Sequence, residues 1–346
     1  MSITQLYQRC TFRPGESLVS FISRMAMRNR FEAADNFCIK MRIAFDIWDL
    51  GEPFALEALS KVSGVPASKL KSISFRRERD EYYFGSERIT KRMVREYQVY
   101  ACPGCLRDDR RGKRAKWDQG FYGRTEWLLS VFRSCPFHAV ALVPVAVAEG
   151  GDLSERHDFA RLLRRQPPPM RKLICEARNR YPSRLEEYVR CRLNGMASEA
   201  ELLDRMDLYA AIQTCEMLGL LLNVGPTARP VEMGDKEWHR AGDVGFQFAR
   251  MGNRGIGSAL SEARDHARDR NPGCHDPLTV FGFFYRWLLQ APQDAAFDML
   301  RAFFKEHVDQ TTPAATGKID GRIIGRDGSC LVQEAGNRNS ASGRWR

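Results

Sequence analysis

Cys102-Pro103-Gly104-Cys105 and Cys135-Pro136-Phe137-His138 are the stretches around which the rest of this sequence is read. Each is a pair of soft ligands separated by two residues, and two such pairs in succession have the spacing of a tetrahedral zinc site. A two-residue turn lets both side chains of a pair point at one ion. Pro103 and Pro136 stiffen these turns, and Gly104 tolerates the positive φ that a tight knuckle often needs. Three thiolates and one imidazole close a four-coordinate shell. Cys102, Cys105, Cys135 and His138 therefore predict one structural Zn2+ site rather than a catalytic metal. A redox reading of Cys-Pro-Gly-Cys needs a strand before the pair and a helix after it in a βαβ unit. Arg92 to Tyr100 is basic and aromatic with no buried-strand pattern, and the second pair argues for metal instead. Unrelated free thiols are the other alternative. The remaining cysteines (Cys10, Cys38, Cys175, Cys191, Cys215, Cys274, Cys330) have no partner at knuckle spacing, and most read as small apolar core residues.

With 346 residues, 43% hydrophobic and 28% charged, the chain has material for two or three domains of an ordinary globular protein. No apolar run reaches the length of a membrane span, and Met1 to Cys10 is polar, without a signal-peptide core. The expected location is the cytoplasm, associated with the nucleoid. The formal charge of +11 favours a polyanionic partner, of which nucleic acid is the usual one.

Along the chain, Phe12 to Phe31 reads as an amphipathic helix with Leu18, Phe21, Ile22 and Met25 on one face and Arg24, Arg28 and Arg30 near or beyond the other edge, in solvent or facing phosphate. In Phe54 to Phe75, Leu56, Leu59 and Val62 form a stripe, Gly64 breaks it, and Val65-Pro66 restarts a short helix with Leu70 and Ile73 inward. That is the pattern of a helix-turn-helix over about residues 54–75, with Ser68, Lys69 and Lys71 exposed to meet phosphate or bases. Arg76 and Arg77 follow, and Arg110, Arg111 and Arg114 lie between the ligand pairs. All five are candidates for nucleic-acid backbone contacts. The interleaved aromatics, Trp127 among them, read as packing for the metal module. Ala139 to Val147 is β-prone, Gly150-Gly151 marks a boundary, and helical periodicity resumes at Asp158. Helices are expected over Arg184 to Arg192, Glu199 to Leu222, Leu278 to Leu289 and Ala296 to Val308. Phe246 to Gly257 reads as a short helix and a turn.

The fold class is thus mainly α: an N-terminal helix-turn-helix, a small zinc-ribbon-like module with short strands, and a C-terminal helical domain. The expected domains are 1–95 (N-terminal helical region), 96–150 (zinc module), 151–310 (helical domain) and 311–346 (largely disordered tail).

In combination these residues resemble the TniQ family of bacterial transposition proteins, which includes the TnsD target selectors. The resemblance begins at Pro14-Gly15-Glu16-Ser17-Leu18 with Ser20 and Arg24, and runs through the helix-turn-helix, both ligand pairs with Leu106 and Leu142, and Trp127. It returns in Phe281-Gly282-x-x-Tyr285-Arg286-Trp287-Leu288 and in Leu300-Arg301 with His307. It implies zinc on Cys102, Cys105, Cys135 and His138. It also implies a non-catalytic role in selecting or licensing a target site, with DNA or a DNA-bound guide complex and an AAA+ ATPase as partners, the transposase being engaged indirectly. A homodimer is compatible with it. Two departures stand out. Many members carry a second Cys-x-x-Cys where this chain reads Val143-Pro144-Val145-Ala146-Val147, and longer members continue into a second helix-turn-helix where this one has a glycine-rich tail, suggesting a short or degraded copy. A zinc-containing helix-turn-helix transcription regulator is the alternative. No nucleophile elbow, acid–base carboxylate pair or open metal set points to an enzyme.

Overall fold

Ser17 stops the chain from fraying at the start of α1 (Leu18–Arg28) by accepting the Ser20 N–H at 3.3 Å. The computed structural model in which this is seen describes residues 6, 8–110, 120–149, 155–196, 198–270 and 276–311. As the spacing predicts, α1 buries Leu18, Phe21, Ile22 and Met25. It is shorter than the Phe12 to Phe31 expectation because the Pro14-Gly15 turn precedes it. Arg24, expected in solvent, is only 3% exposed and grips Glu16 through two contacts of 2.6 Å. Glu16 also accepts the Arg13 N–H at 3.1 Å, so the buried charge pair carries the added hydrogen bonds it needs.

Helices α2 (Ala34–Met41), α3 (Pro53–Ser63) and α4 (Ala67–Lys71) follow. Gly64 ends α3 at φ 75, a left-handed position suited to glycine. The expected helix, glycine turn and helix are therefore present, but α4 is a five-residue turn and a half. A three-stranded antiparallel sheet comes next, where only a basic and aromatic run was foreseen: β1 (Phe75–Glu78), β2 (Glu81–Phe84) and β3 (Glu87–Ile89), in that order. Phe75, Phe84 and Ile89 face the core, and the charges between them face out.

Strand β4 (Gln98–Ala101) leads into α5 (Pro103–Arg110); α6 (Thr125–Leu128) follows, then β5 (Val143–Val147), which pairs antiparallel with β4. The Arg92 to Tyr100 reading is corrected here. A strand does precede Cys102 and a helix does follow it, so local order cannot dismiss a redox pair; the convergence of four ligands described below argues for a metal site instead.

The remaining elements are α7 (Phe159–Arg165), α8 (Met170–Cys175), α9 (Arg184–Leu193), α10 (Glu201–Asp204), α11 (Leu208–Val224), α12 (Asp235–Ala249), α13 (Gly252–Arg270), α14 (Pro277–Gln290) and α15 (Ala295–Thr311). The expected helix over Glu199 to Leu222 is broken before Leu208. The expected short helix and turn near Phe246 is instead the long pair α12 and α13. Glycine misled that reading. Gly219 and Gly245 sit where α11 and α12 cross, and a Cβ on Gly245 would lie 1.8 Å from the Cys215 carbonyl oxygen. In α14, Gly282 takes φ 47 and kinks the helix against the Pro226 carbonyl, which accepts the Phe283 N–H at 3.0 Å. Arg301 caps the end of the same helix by donating to the Leu288 and Ala291 carbonyls.

Among the described residues, most buried apolar side chains form one cluster from Leu6 to Phe304, to which Cys102, Cys105 and Cys135 belong, while Ala146, Ala148 and Leu162 form a small second one. Cys10, Cys38 and Cys215 are buried as expected, whereas Cys175 is exposed and Cys191 half-buried. Cys274, Cys330, Gly150-Gly151 and the 312–346 part of the tail lie outside the described residues.

Candidate metal centre

Two antiparallel pairings bring the ligand turns together. Strand β5, which follows the second turn, runs back along β4, which precedes the first. The second turn is itself a tight hairpin: Cys135 donates its N–H to the Val140 carbonyl and accepts that of Ala139, both at 2.9 Å. Ser134 bridges to Ala141 in antiparallel fashion.

The ligand atoms of Cys102, Cys105, Cys135 and His138 all lie within 4.8 Å of one another. His138 Nδ1 is 3.5, 3.4 and 3.6 Å from the sulfurs of Cys102, Cys105 and Cys135, and the Cys105 and Cys135 sulfurs are 3.6 Å apart. A tetrahedral zinc ion with bonds of about 2.3 Å to sulfur and about 2.05 Å to nitrogen would place sulfurs about 3.8 Å apart and each sulfur about 3.6 Å from the nitrogen. These four separations match such an ion to within a few tenths of an ångström. A disulfide between any two of these thiols would need far closer sulfurs. The residues fit the metal the spacing predicted, bound through Nδ1 of the imidazole.

Proton placement among the thiols is uneven. Cys135 accepts hydrogen bonds from Cys102 and Cys105 and is pushed strongly down. Cys105 is pushed up by its bonds to Cys102 and Cys135 and by burial. Cys102, lowered by Cys105 but raised more by Cys135 and burial, also moves up, to about 11. Three buried thiols thus share their protons, and a divalent cation would draw off the remainder as it binds.

Two further features escaped the sequence reading. Asp108 accepts from His138 Nε2 at 2.8 Å, the carboxylate–imidazole arrangement that fixes a ligand histidine's tautomer and ring plane. The His138 bond, followed by that to Arg107, holds the Asp108 carboxyl below its ordinary range despite some desolvation. Asp108 lies three residues past Cys105 on α5, a helical spacing that could have flagged it. Gly104 does not take a positive φ; it lies in α5, and a Cβ there would come within 2.4 Å of the His138 ring. Glycine is needed for space, and the left-handed residue of the centre is Ala139, at φ 50.

The N-terminal motif is bound to the same module. Ser17 donates its N–H to the Gly123 carbonyl and Thr125 donates to that of Gly15, both at 3.0 Å, while Ser20 Oγ accepts from Gly123 N at 2.7 Å. Arg124 stacks over Trp127 and forms a bidentate pair with the buried Asp109 at 2.8 and 2.9 Å.

A family model, TniQ, matches residues 8–142, which include this motif and all four ligands. Over this stretch the chain is similar to the TniQ family. Comparison with curated proteins finds no match. Among the described residues, no helix is long and apolar enough to cross a membrane.

The proposed nucleic-acid residues are scattered in environment. Ser68, Lys69 and Lys71 are exposed on α4. Arg76 is engaged with Glu78 and the Gly85 carbonyl, both at 2.6 Å, and Arg77 faces Asp49 at 3.1 Å. Arg110 is exposed at the end of α5. Arg111 and Arg114 lie outside the described residues.

Proposed function

We propose that this chain is a non-catalytic accessory protein of DNA transposition. It engages target DNA or a DNA-bound guide complex, and recruits an AAA+ ATPase and through it the transposase. The observation that carries this reading is the family match over residues 8–142, in which the N-terminal motif and the Cys3His centre are built into one packed unit. The charge of +11 and the exposed Lys69, Lys71 and Arg110 support a nucleic-acid partner. Zinc supplies a rigid clip here and no chemistry of its own. The test is affinity purification of the full chain with the products of its neighbouring genes and target DNA. Recovery of an ATPase in a DNA-stimulated complex is expected, and recovery of neither ATPase nor DNA overturns the proposal.

The second reading, a zinc-containing transcription regulator, is favoured by one observation: α3, the Gly64 turn and α4 are followed directly by the β1–β3 sheet, as in DNA-binding modules that back a short helix pair with a wing. Protection of a palindrome upstream of its own gene would select that reading.

A further inference from the structure

The hairpin that carries Cys135 and His138 is gripped from outside the TniQ match. On one edge its strand 139–141 pairs with residues 178–180: Arg180 donates its N–H to the Ala139 carbonyl at 2.8 Å, and Ala141 donates to that of Arg178 at 2.9 Å. Val140 and Asn179 form the bridge between them. That segment runs straight into the capping box of α9, where Ser183 Oγ accepts the Glu186 N–H and the Glu186 carboxylate accepts the Ser183 N–H at 2.8 Å.

Glu186 does more than cap. Its Oε1 accepts the Arg133 and Ser134 N–H groups at 2.5 and 3.0 Å, and its Oε2 accepts Ser134 Oγ at 2.5 Å, with His239 Nε2 3.5 Å away. The residue is 1% exposed. A carboxylate this deeply buried is tolerated only because it is surrounded by donors. Burial alone would raise its pKa, but His239, Ser134, Arg133 and Ser183 together hold it below the ordinary range. The bonded N–H groups belong to the two residues just before Cys135. Arg133 in turn lies 2.8 Å from Glu216 of α11, both side chains almost wholly buried.

We propose that Glu186 is a positioning residue of the metal centre, and that metal occupancy and the packing of α9 and the strand before it form one cooperative unit. The carboxylate sets the backbone that aims Cys135 and, through the hairpin, His138. Conversely, a bound ion braces the hairpin edge on which residues 178–180 pair. Linkage requires the two effects to be equal in free energy. The proposal rests on the Cys3His site being a zinc centre.

The test uses the full chain and Zn2+ alone. Zinc affinity is measured by competition with a chromogenic chelator, and amide hydrogen exchange over 178–193 is followed with and without metal. Glu186→Gln should lower zinc affinity about 10- to 100-fold, as loss of an outer partner of a metal site does. It should also abolish most of the zinc-dependent protection of 178–193 seen in the wild type. Glu87→Gln is the control: it breaks the Arg192–Glu87 pair (2.5 Å), which ties α9 to β3 instead of to the hairpin, and should leave zinc affinity at the wild-type value. If Glu186→Gln fails to fold, Ser134→Ala removes one of the donors and should shift both readouts in the same direction by less. Wild-type affinity and protection in the Glu186 variant, or in Ser134→Ala where it substitutes, overturn the proposal, as does an equal loss in Glu87→Gln. A wild-type chain that binds no zinc at all would instead remove the metal-centre reading beneath it.

Discussion

Cys135 and Gly104 bear on the candidate metal centre in different ways, one by supplying a ligand and the other by the absence of a side chain. Cys135→Ser removes a thiolate from a closed four-ligand shell, and because metal binding free energy there is folding free energy, the 98–147 region should lose its structure along with the ion. Elemental analysis should show zinc falling from one equivalent to a small fraction, with an earlier thermal transition. Gly104→Ala keeps all four ligands, yet the new methyl would lie 2.4 Å from the His138 ring and push it out of line with Asp108. Overpacking of this kind costs about 1–3 kcal/mol. Its signature should be weaker zinc retention against a chelator with three thiolate ligands still bound, visible in the cobalt-substituted spectrum. His157 acts through protonation. Burial, opposed by Asp46 and joined by Arg156, lowers its pKa from 6.5 to about 4. The folded state therefore keeps the ring neutral while the unfolded chain takes up a proton below pH 6.5, so stability is full above that value and falls as pH drops toward 4. At pH 5 the loss is about 2 kcal/mol. His157→Asn, which tolerates the left-handed φ of 67 at this position, should remove that part of the acid sensitivity in urea titrations compared with wild type.

Helices α11, α12 and α13 show that glycine has opposite consequences at different places within one element type. At the α11–α12 crossing Gly245 faces backbone at 1.8 Å, so Gly245→Ala must separate the two helices and should cost at least the upper end of about 1–3 kcal/mol. Gly257, inside α13, meets only ordinary contacts at 3.5 Å or more from Phe303 and His307. There, Gly257→Ala should stabilise by about 0.5–1 kcal/mol through reduced chain entropy. Thermal or urea unfolding of the two variants gives opposite signs if the crossing is as described. The same residue type explains why periodicity found α14 and α15 but read α12 and α13 as a short helix and a turn: a helix-breaking residue in sequence is a close-packing residue where two backbones touch.

Taken whole, the molecule distributes its positive charge unevenly in effect. Arg76, Arg77, Arg88 and Arg192 face acidic partners of the chain itself, whereas Lys69, Lys71 and Arg110 have no ion-paired carboxylate among the described residues. Replacing Lys69 and Lys71 together by alanine should weaken DNA binding uniformly across sequences and reduce the salt slope by about 2, one unit per phosphate contact. Replacing Arg76 and Arg77 should change that slope less, because their charge is already partly neutralised. Filter binding across a salt series measures both.

The ligand-like spacing within each Cys/His pair, the apolar face of α1 and the glycine stop of α3 were all legible in the order of residues, because each depends on neighbours a few positions away. Asp108 beneath His138, the burial of Arg24 against Glu16, the β1–β3 sheet and the role of Glu186 were not. Each depends on a partner whose nearness is created by packing: β4 closing on β5, the Gly123 loop receiving Ser17 and Ser20, or α9 delivering a carboxylate to a hairpin distant in sequence. Local spacing determines which groups can bind a metal; only the assembled core decides what holds those groups still.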